Sequence, residues 1–242
     1  MSPTSSSNAG EAARRAELAA NLDQVRNRIG AACAAAGRDP ADLTLIAVTK
    51  TWPASDVRLL SGLGVTDVGE NRDAEAAPKA AACADLPLTW HFIGQLQSNK
   101  ASRVARYADV VHSVDRPRLV RALGAGARSA GRELTCLVQV SVDNDPERGG
   151  APGTSVPLLA ELIEAEDGLR LGGVMAVAPL GLAPAEAFSF VRKCSDSLRS
   201  VRPGATIISA GMSGDLEPAI ESGATHLRIG TALLGARRPP VM

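Results

Sequence analysis

The sequence predicts a single parallel (β/α)8 TIM barrel with an extra N-terminal helix, and three observations support this prediction. The chain has 242 residues, which is the usual length of one such barrel. Short apolar runs alternate with helical patterns, as in consecutive βαβ units of a parallel sheet. Hydrophobic residues make up 45% of the sequence, which is enough for one sizeable core. Eight such units favour closure into a barrel over an open doubly wound sheet.

The N-terminal region divides into two predicted segments. Residues 1–15, which are rich in Ser, Asn and Gly, predict a disordered segment, and the barrel domain is predicted over residues 16–242. From about residue 16 to residue 36, apolar side chains recur at helical spacing, which predicts an amphipathic helix that ends at Gly37. The side chains that form this apolar stripe are Leu18, Leu22, Val25 and Ile29.

Eight apolar, β-branched runs predict the barrel strands. The first run, LTLIAVT, is nearly unbroken, as expected of a strand that is buried on both faces. The predicted strands lie near residues 43–49, 66–69, 90–94, 109–113, 134–141, 170–175, 206–209 and 226–229. The helical patterns between them include residues 54–62, 98–107, 116–130, 155–166 and 184–200. The connection from Asn144 to Ser155 is rich in Gly and Pro, and it predicts a long mobile loop at the active-site end.

Composition and charge narrow the classes of partner. Lys plus Arg and Asp plus Glu number 26 each, so the formal net charge is zero and nucleic acid is not an expected partner. No apolar run reaches the ~20 residues of a membrane span, and the N-terminus lacks the apolar segment of a secretory signal. We therefore expect a cytoplasmic protein with no membrane partner, and we also expect a monomer. The cysteines have no metal-ligand spacing, and no catalytic triad or metal-binding cluster stands out.

Lys50 follows the first predicted strand, at the rim where the active sites of α/β barrels lie. Lysines are seldom buried without a role. Partial burial favours the neutral amine, which can attack an aldehyde and form an imine. Position alone does not distinguish this role from a lysine that extends its amine to solvent at the barrel mouth.

Two glycine-containing turns follow the seventh and eighth predicted strands. The segment GMSGD carries the hydroxyl of Ser213, and Asp215 at its end is positioned to cap the next helix. The segment RIGTALLGARR places Gly230 and Thr231 at another strand–helix junction. Glycines let backbone N–H groups approach an anion, and the loops after strands seven and eight form the usual phosphate site of this fold. Two ordinary tight turns would have the same sequence pattern.

The eighth predicted strand carries Arg228 between Leu227 and Ile229. Side chains alternate along a strand, so if Leu227 and Ile229 face the helices, Arg228 points into the barrel mouth. An arginine in the mouth would disfavour a positive charge on a neighbouring ligand atom, because adjacent cations repel. A surface arginine in an ion pair is the alternative. His91, inside the third strand, is predicted as a hydrogen-bonded core histidine, and His226 lies at a strand start, away from the rim.

Four sequence blocks occur in a distinctive order. They are AVTKTW around Lys50, VGENRDAEAAPK at 68–79, WHFIGQLQSNK at 90–100 and SAGMSGDLEPAIESGATHLRIGTALLGAR at 209–237. Together they resemble the pyridoxal-phosphate homeostasis protein family, and the resemblance covers nearly the whole chain after about residue 20. It implies a barrel similar to that of bacterial alanine racemase, and a protein that binds pyridoxal 5′-phosphate (PLP) and affects vitamin B6 and amino-acid balance.

The resemblance also implies the site residues. Lys50 would hold PLP as an imine, Arg228 would face the pyridine nitrogen, and Asn71 would line the ring pocket. The phosphate would be held by Ser213, Gly230 and Thr231, with Ser209 and Met212 nearby. The chain would carry and buffer PLP with no catalytic residue assigned, and apo PLP-dependent enzymes are the candidate recipients.

Two other functions stay open at the level of sequence. The same pocket could serve a weak PLP-dependent amino-acid racemase. Alanine racemases use a tyrosine from an additional β domain, whereas this chain ends soon after the barrel and its tyrosine, Tyr107, falls on a predicted outer helix. A PLP-free aldolase that forms a Schiff base with a sugar phosphate would use the same lysine and the same phosphate loops.

Overall fold

Eight parallel strands form a closed barrel, which confirms the predicted fold class. The computed structural model describes residues 4–143, 145 and 148–236. The strands pair in chain order, β8 pairs with β1, and the pairings are parallel. The strands are β1 Thr44–Val48, β2 Asp67–Glu70, β3 Thr89–Phe92, β4 Val110–Val114, β5 Leu134–Gln139, β6 Leu169–Met175, β7 Ile207–Ser209 and β8 His226–Ile229.

Helices alternate with these strands and surround the barrel. They are α1 Thr4–Ala35, α2 Ala54–Ser61, α3 Asp73–Ala82, α4 Ala101–Val104, α5 Pro117–Ala130, α6 Val156–Glu164, α7 Pro184–Val201, α8 Leu216–Glu221 and α9 Thr231–Leu234. The helix predicted over residues 98–107 is shorter in the structure. A 3₁₀ turn covers Ser98–Lys100, and the α-helix that follows it has only four residues.

The N-terminal helix is longer than the sequence predicts. It begins at Thr4 rather than near residue 16, so residues 4–15 are helical where the sequence predicts a disordered segment over residues 1–15. Arg14 provides a reason for the difference. Its guanidinium donates to Asp56 Oδ2 at 2.8 Å and to the Leu234 carbonyl at 3.1 Å. Both partners lie far along the chain, so no local pattern reports them.

Helix α1 packs where the helix after β8 is short. Helix α9 has four residues, and α1 packs across both α8 and α9. The amide of Asn21 donates to the Leu233 carbonyl at 3.0 Å, which ties the two helices together. The predicted apolar stripe is confirmed, because its side chains are buried in the main core. These are Leu18, Leu22, Val25 and Ile29.

The hydrophobic core lies between the strands and the helices, whereas the barrel interior is partly polar. Buried apolar side chains from both layers form one large cluster. His91, His112, Ser209 and Arg228 lie on strands β3, β4, β7 and β8, and each is at most 4% exposed. Barrel interiors are usually filled by branched apolar residues. Polar side chains are costly to bury there, which suggests a functional reason for them.

Candidate functional site

Lys50 lies just beyond the C-terminal end of β1, as the sequence predicts. Its side chain is partly buried, and no described residue forms a hydrogen bond or ion pair with its amine. The remaining lysines differ: Lys79 is buried and paired with Glu70, while Lys100 and Lys193 are exposed. Lys50 therefore combines partial burial with an amine that is available to a ligand.

The backbone on both sides of Lys50 is held by side chains. The amine of Lys79 donates to the Thr49 carbonyl at 2.8 Å, and the Thr49 hydroxyl donates to Glu70 at 2.6 Å. The N–H of Thr51 donates to Glu75 at 3.1 Å. Thr51 has a φ of 69°, the left-handed region that a β-branched residue rarely adopts. The strand end that carries Lys50 is thus fixed at three points.

Glu70 and Lys79 form a buried ion pair behind this strand end. The side chains are 1% and 7% exposed, and the amine of Lys79 contacts Glu70 Oε1 directly. Burial raises the pKa of Glu70, and the hydrogen bonds from Lys79 and Thr49 oppose that rise. The second oxygen, Oε2, is buried without a described partner. The pair therefore depends on Lys79 to keep a charged carboxylate in a site with little water.

The turns after β7 and β8 meet through Ser213. The Ser213 hydroxyl accepts from the N–H of Ala232 at 3.2 Å, so the two loops form one surface. The backbone N–H groups of Ser213, Gly214, Gly230 and Thr231 donate to no described residue. A Cβ added at Gly214 would meet no heavy atom within 4 Å, so space is open there. This surface offers unpaired amides to an anion.

Asp215 acts differently from the helix cap that the sequence predicts. Its carboxylate makes no cap hydrogen bond with α8. Instead, Oδ1 accepts from the N–H of Met212 at 2.6 Å, which closes the turn on itself. The side chain of Met212 is 37% exposed at the rim.

Arg228 points into the barrel, as strand alternation predicts. Its neighbours Leu227 and Ile229 belong to the core between strands and helices, so the side chain of Arg228 takes the opposite direction. The guanidinium donates to Ser209 Oγ at 2.6 Å and to the Ala176 carbonyl at 2.8 Å. Burial lowers the pKa of Arg228 to about 10, so the group stays cationic at neutral pH.

Ser209 and Asn71 occupy different levels of the site. Ser209 is fully buried, and its hydroxyl lies between Arg228 and His112, below the rim. Asn71 follows β2 and is partly buried at the rim. A Cβ at Gly94 would lie 2.2 Å from the Asn71 carbonyl, so the backbones after β2 and β3 approach each other closely. The structure thus gives Asn71 a fixed backbone position and gives Ser209 polar partners inside the barrel.

The described end of the loop after β5 returns to the strand ends. The N–H of Ala151 donates to the Gln139 carbonyl at 2.8 Å, and the N–H of Gly150 contacts Asp115 at 3.4 Å. The sequence predicts a mobile loop here, and its residues 144, 146 and 147 lie outside the described part of the chain. Its described end is anchored to the neighbouring strands.

The sequence assigns no role to three side chains that prove central: Glu70, Lys79 and His112. Glu70 and His112 both stand at predicted strand ends, and alternation within VVHSV places His112 on the inner face. Lys79 lies in an alanine-rich helical segment, where a lone lysine reads as solvent-exposed. The contact between Lys79 and Glu70 depends on how α3 returns to the barrel. His91 is a buried, hydrogen-bonded histidine, which confirms its prediction.

The described residues contain neither a candidate membrane span nor a candidate metal site. No described helix is long and apolar enough to span a membrane. Within the same part of the chain, no group of three or more His, Cys, Asp or Glu side chains could hold a metal ion.

The fold and the rim define a class of protein, namely a single barrel built like the N-terminal domain of alanine racemase. The chain matches the family described as "Alanine racemase, N-terminal domain" over residues 14–238. An alanine racemase from Clostridium difficile has the same fold, with a TM-score of 0.74 at 15% identity. That similarity covers 93% of this chain and 58% of the racemase chain.

Relatives of higher identity narrow this class. The pyridoxal phosphate homeostasis protein of Mycobacterium tuberculosis is 41% identical over 244 residues, covering 93% of this chain and 95% of that protein. PipY of Synechococcus elongatus, solved with PLP bound, is 35% identical with a TM-score of 0.77, covering 90% of this chain and 100% of PipY. The chain therefore belongs to the pyridoxal phosphate homeostasis protein family.

Proposed function

We propose that this chain binds PLP at the C-terminal rim of the barrel, where Lys50 holds the cofactor as an imine, and that it carries and buffers the cofactor. The observation that carries the proposal is Lys50, a partly buried residue whose amine has no described partner. The relative PipY, with 35% identity, was solved with PLP bound. When bound, PLP supplies an aldehyde that reacts with amines and a ring that can accept electrons.

The turns after β7 and β8 fit the phosphate group. Their four unpaired amides, at Ser213, Gly214, Gly230 and Thr231, can donate to phosphate oxygens. Gly230 has no side chain and lies beside Val48 of β1, since a Cβ there would be 3.5 Å from Val48 Cβ. Lys50 follows Val48 by two residues, so the amine and the amides belong to adjacent strand ends. Helix α9 has only four residues, so the amides rather than a helix dipole make this surface suitable.

Arg228 fits the ring nitrogen and favours a carrier over a catalyst. Two of its N–H groups are engaged by Ser209 and Ala176, and a guanidinium has five, so donors remain for a ligand. A permanent cation beside the pyridine nitrogen disfavours a second positive charge on the ring. The ring then accepts electrons poorly, which suits storage of PLP better than chemistry at an amino acid. Apo PLP-dependent enzymes are the proposed recipients.

The visible spectrum of the purified protein tests the proposal. After incubation with PLP and removal of free cofactor, we expect an absorption band of the bound imine. The band should be lost in Lys50→Ala and kept in Lys100→Ala, a matched control because Lys100 is exposed. A band that persists in Lys50→Ala would refute the assignment of the imine.

The same preparation separates the two alternatives. For the weak racemase, deuterium exchange at the α-carbon of alanine would exceed the rate with free PLP. For the PLP-free aldolase, borohydride would trap a keto-phosphate on the protein but would not trap PLP. The proposal expects neither result. Tyr107 does not supply the second base of a racemase at the rim, because it lines a groove with Cys83 and Arg106 on the outer side of the barrel.

A further inference from the structure

A chain of polar side chains crosses the barrel interior from the rim to the opposite face. Four hydrogen bonds link its members: Arg228 to Ser209 at 2.6 Å, Ser209 to His112 at 2.9 Å, His112 to His91 at 2.8 Å, and His91 to Asp67 at 2.9 Å. Asp67 is the first residue of β2, so it lies at the N-terminal face. This series of hydrogen bonds therefore connects a cation at the mouth to a carboxylate at the far end of the barrel.

For neutral imidazoles, the two charged ends allow one direction for the hydrogen bonds between them. A guanidinium can only donate, so Ser209 Oγ accepts from Arg228, and its own hydrogen is then available to donate to His112 Nδ1. An ionised carboxylate can only accept, so His91 Nε2–H donates to Asp67. His91 Nδ1 must then accept from His112 Nε2–H. In this arrangement each imidazole carries its proton on Nε2.

The charge states agree with this direction. Burial, followed by the charge interactions with His91 and then with Arg228, holds the pKa of His112 well below its usual range, so this ring stays neutral. Burial alone would raise the pKa of Asp67, but hydrogen bonds from His91 and Thr66 hold it below its usual value. His226, whose ring centroid is 6.2 Å from that of His91, is hydrogen-bonded to Thr225 instead.

We propose that Asp67, His91, His112 and Ser209 form a one-way hydrogen-bond relay that fixes the orientation of Arg228 at the cofactor site. This inference rests on the proposed function, because Arg228 matters there as the group that faces the pyridine ring. Aligned hydrogen bonds in a dry interior polarise one another, so the far carboxylate strengthens the bond at Ser209. Asp67 is thus a positioning residue, although it lies at the opposite face from the rim.

Nitrogen-15 NMR of the histidine side chains tests the direction without any cofactor. In the unliganded protein at pH 7, we expect both His91 and His112 as neutral Nε2–H tautomers. A dominant Nδ1–H tautomer in either ring would overturn the relay. This NMR measurement does not involve PLP, so it still tests the direction of the relay if the protein fails to bind the cofactor.

Variants at the far face test the link to the cofactor site. Asp67→Ala removes the terminal acceptor and should weaken PLP binding roughly tenfold, about the effect of one lost hydrogen bond. Asp109→Ala is the matched control, because Asp109 precedes β4 at the same face and pairs with Arg132 and the Trp90 N–H, outside the relay. Equal PLP affinity in the two variants, within about twofold, would reject the positioning role of Asp67.

A double variant distinguishes a relay from independent packing and covers the case in which Asp67→Ala does not fold. Ser209→Ala cuts the same chain at its other end with a minimal change in volume, and it should weaken PLP binding by a similar factor. Combining Ser209→Ala with Asp67→Asn should weaken PLP binding no more than the larger single effect, because either substitution already interrupts the series of hydrogen bonds. Multiplicative losses would show independent roles and refute the relay.

Discussion

The buried ion pair of Lys79 and Glu70 allows a stability prediction with a calculable size. The substitution Lys79→Met keeps the apolar stem and removes the cation. The side chain of Glu70 is 1% exposed, so its carboxylate would keep only the Thr49 hydroxyl as a partner and would have no cation beside it. A carboxyl in such a position takes up a proton rather than keep its charge.

The cost of that proton sets the magnitude. A glutamate has an unfolded pKa of about 4.3, and each pKa unit corresponds to about 1.36 kcal/mol. Holding Glu70 protonated at pH 7 therefore costs about 4 kcal/mol, which agrees with the ~3–5 kcal/mol typical of breaking a buried pair. At pH 5 the same proton costs only about 1 kcal/mol, because the unfolded chain is then close to its own titration.

Urea unfolding at the two pH values measures the effect. The folded pKa of Glu70 in the variant lies above the unfolded value, so stability is retained at low pH and is lost as the pH rises. We expect Lys79→Met to lose about 4 kcal/mol at pH 7 and about 1 kcal/mol at pH 5. Adding Glu70→Gln should recover most of the loss, and Lys100→Met at an exposed site should have no effect. An equal loss in the free energy of unfolding at both pH values would show that Glu70 does not take up a proton in Lys79→Met.

Three further predictions concern other parts of the barrel. Burial lowers the pKa of His226 to about 4, so the free energy of unfolding should fall by about 2 kcal/mol as the pH is lowered from 7 to 5. In urea titrations, His226→Gln should abolish this part of the pH dependence. Gly94→Ala would place a Cβ 2.2 Å from the Asn71 carbonyl oxygen and should lower the free energy of unfolding by about 1–3 kcal/mol. Gly204→Ala is the control, because a Cβ there has nothing within 4 Å, and it should change the free energy of unfolding by less than about 0.5 kcal/mol in the same assay. Thr51→Gly should relieve the strain of a φ of 69°, which would stabilise the protein by up to about 1 kcal/mol and raise its thermal midpoint. A lower midpoint would show that the backbone at Thr51 is not strained.

The sequence predicts the barrel because its strands are buried on both faces and show as apolar runs. The eight predicted strands are all present, and their bounds differ from the structure by only one or two residues at most ends. The N-terminal helix is the exception. Its first turns carry no apolar stripe, and contacts of Arg14 with distant residues hold it in place.

The sequence predicts those site residues that lie on a strand or directly follow one. These are Lys50, Arg228 and the two glycine turns, whose positions follow from counting the strands along the chain. The relay through His112 and His91 depends instead on the register of four strands, which single-sequence patterns do not reveal. The pairing of Lys79 with Glu70 likewise depends on how a helix packs against the barrel.

Covalent mapping of the cofactor tests whether Lys50 holds PLP. The protein loaded with PLP is reduced with borohydride, digested, and the modified peptide is sequenced by mass spectrometry. We expect a single pyridoxyl adduct on Lys50, in the segment AVTKTW. An adduct on Lys79, Lys100 or Lys193 instead, or an unmodified Lys50 in a protein that retains PLP, would contradict it.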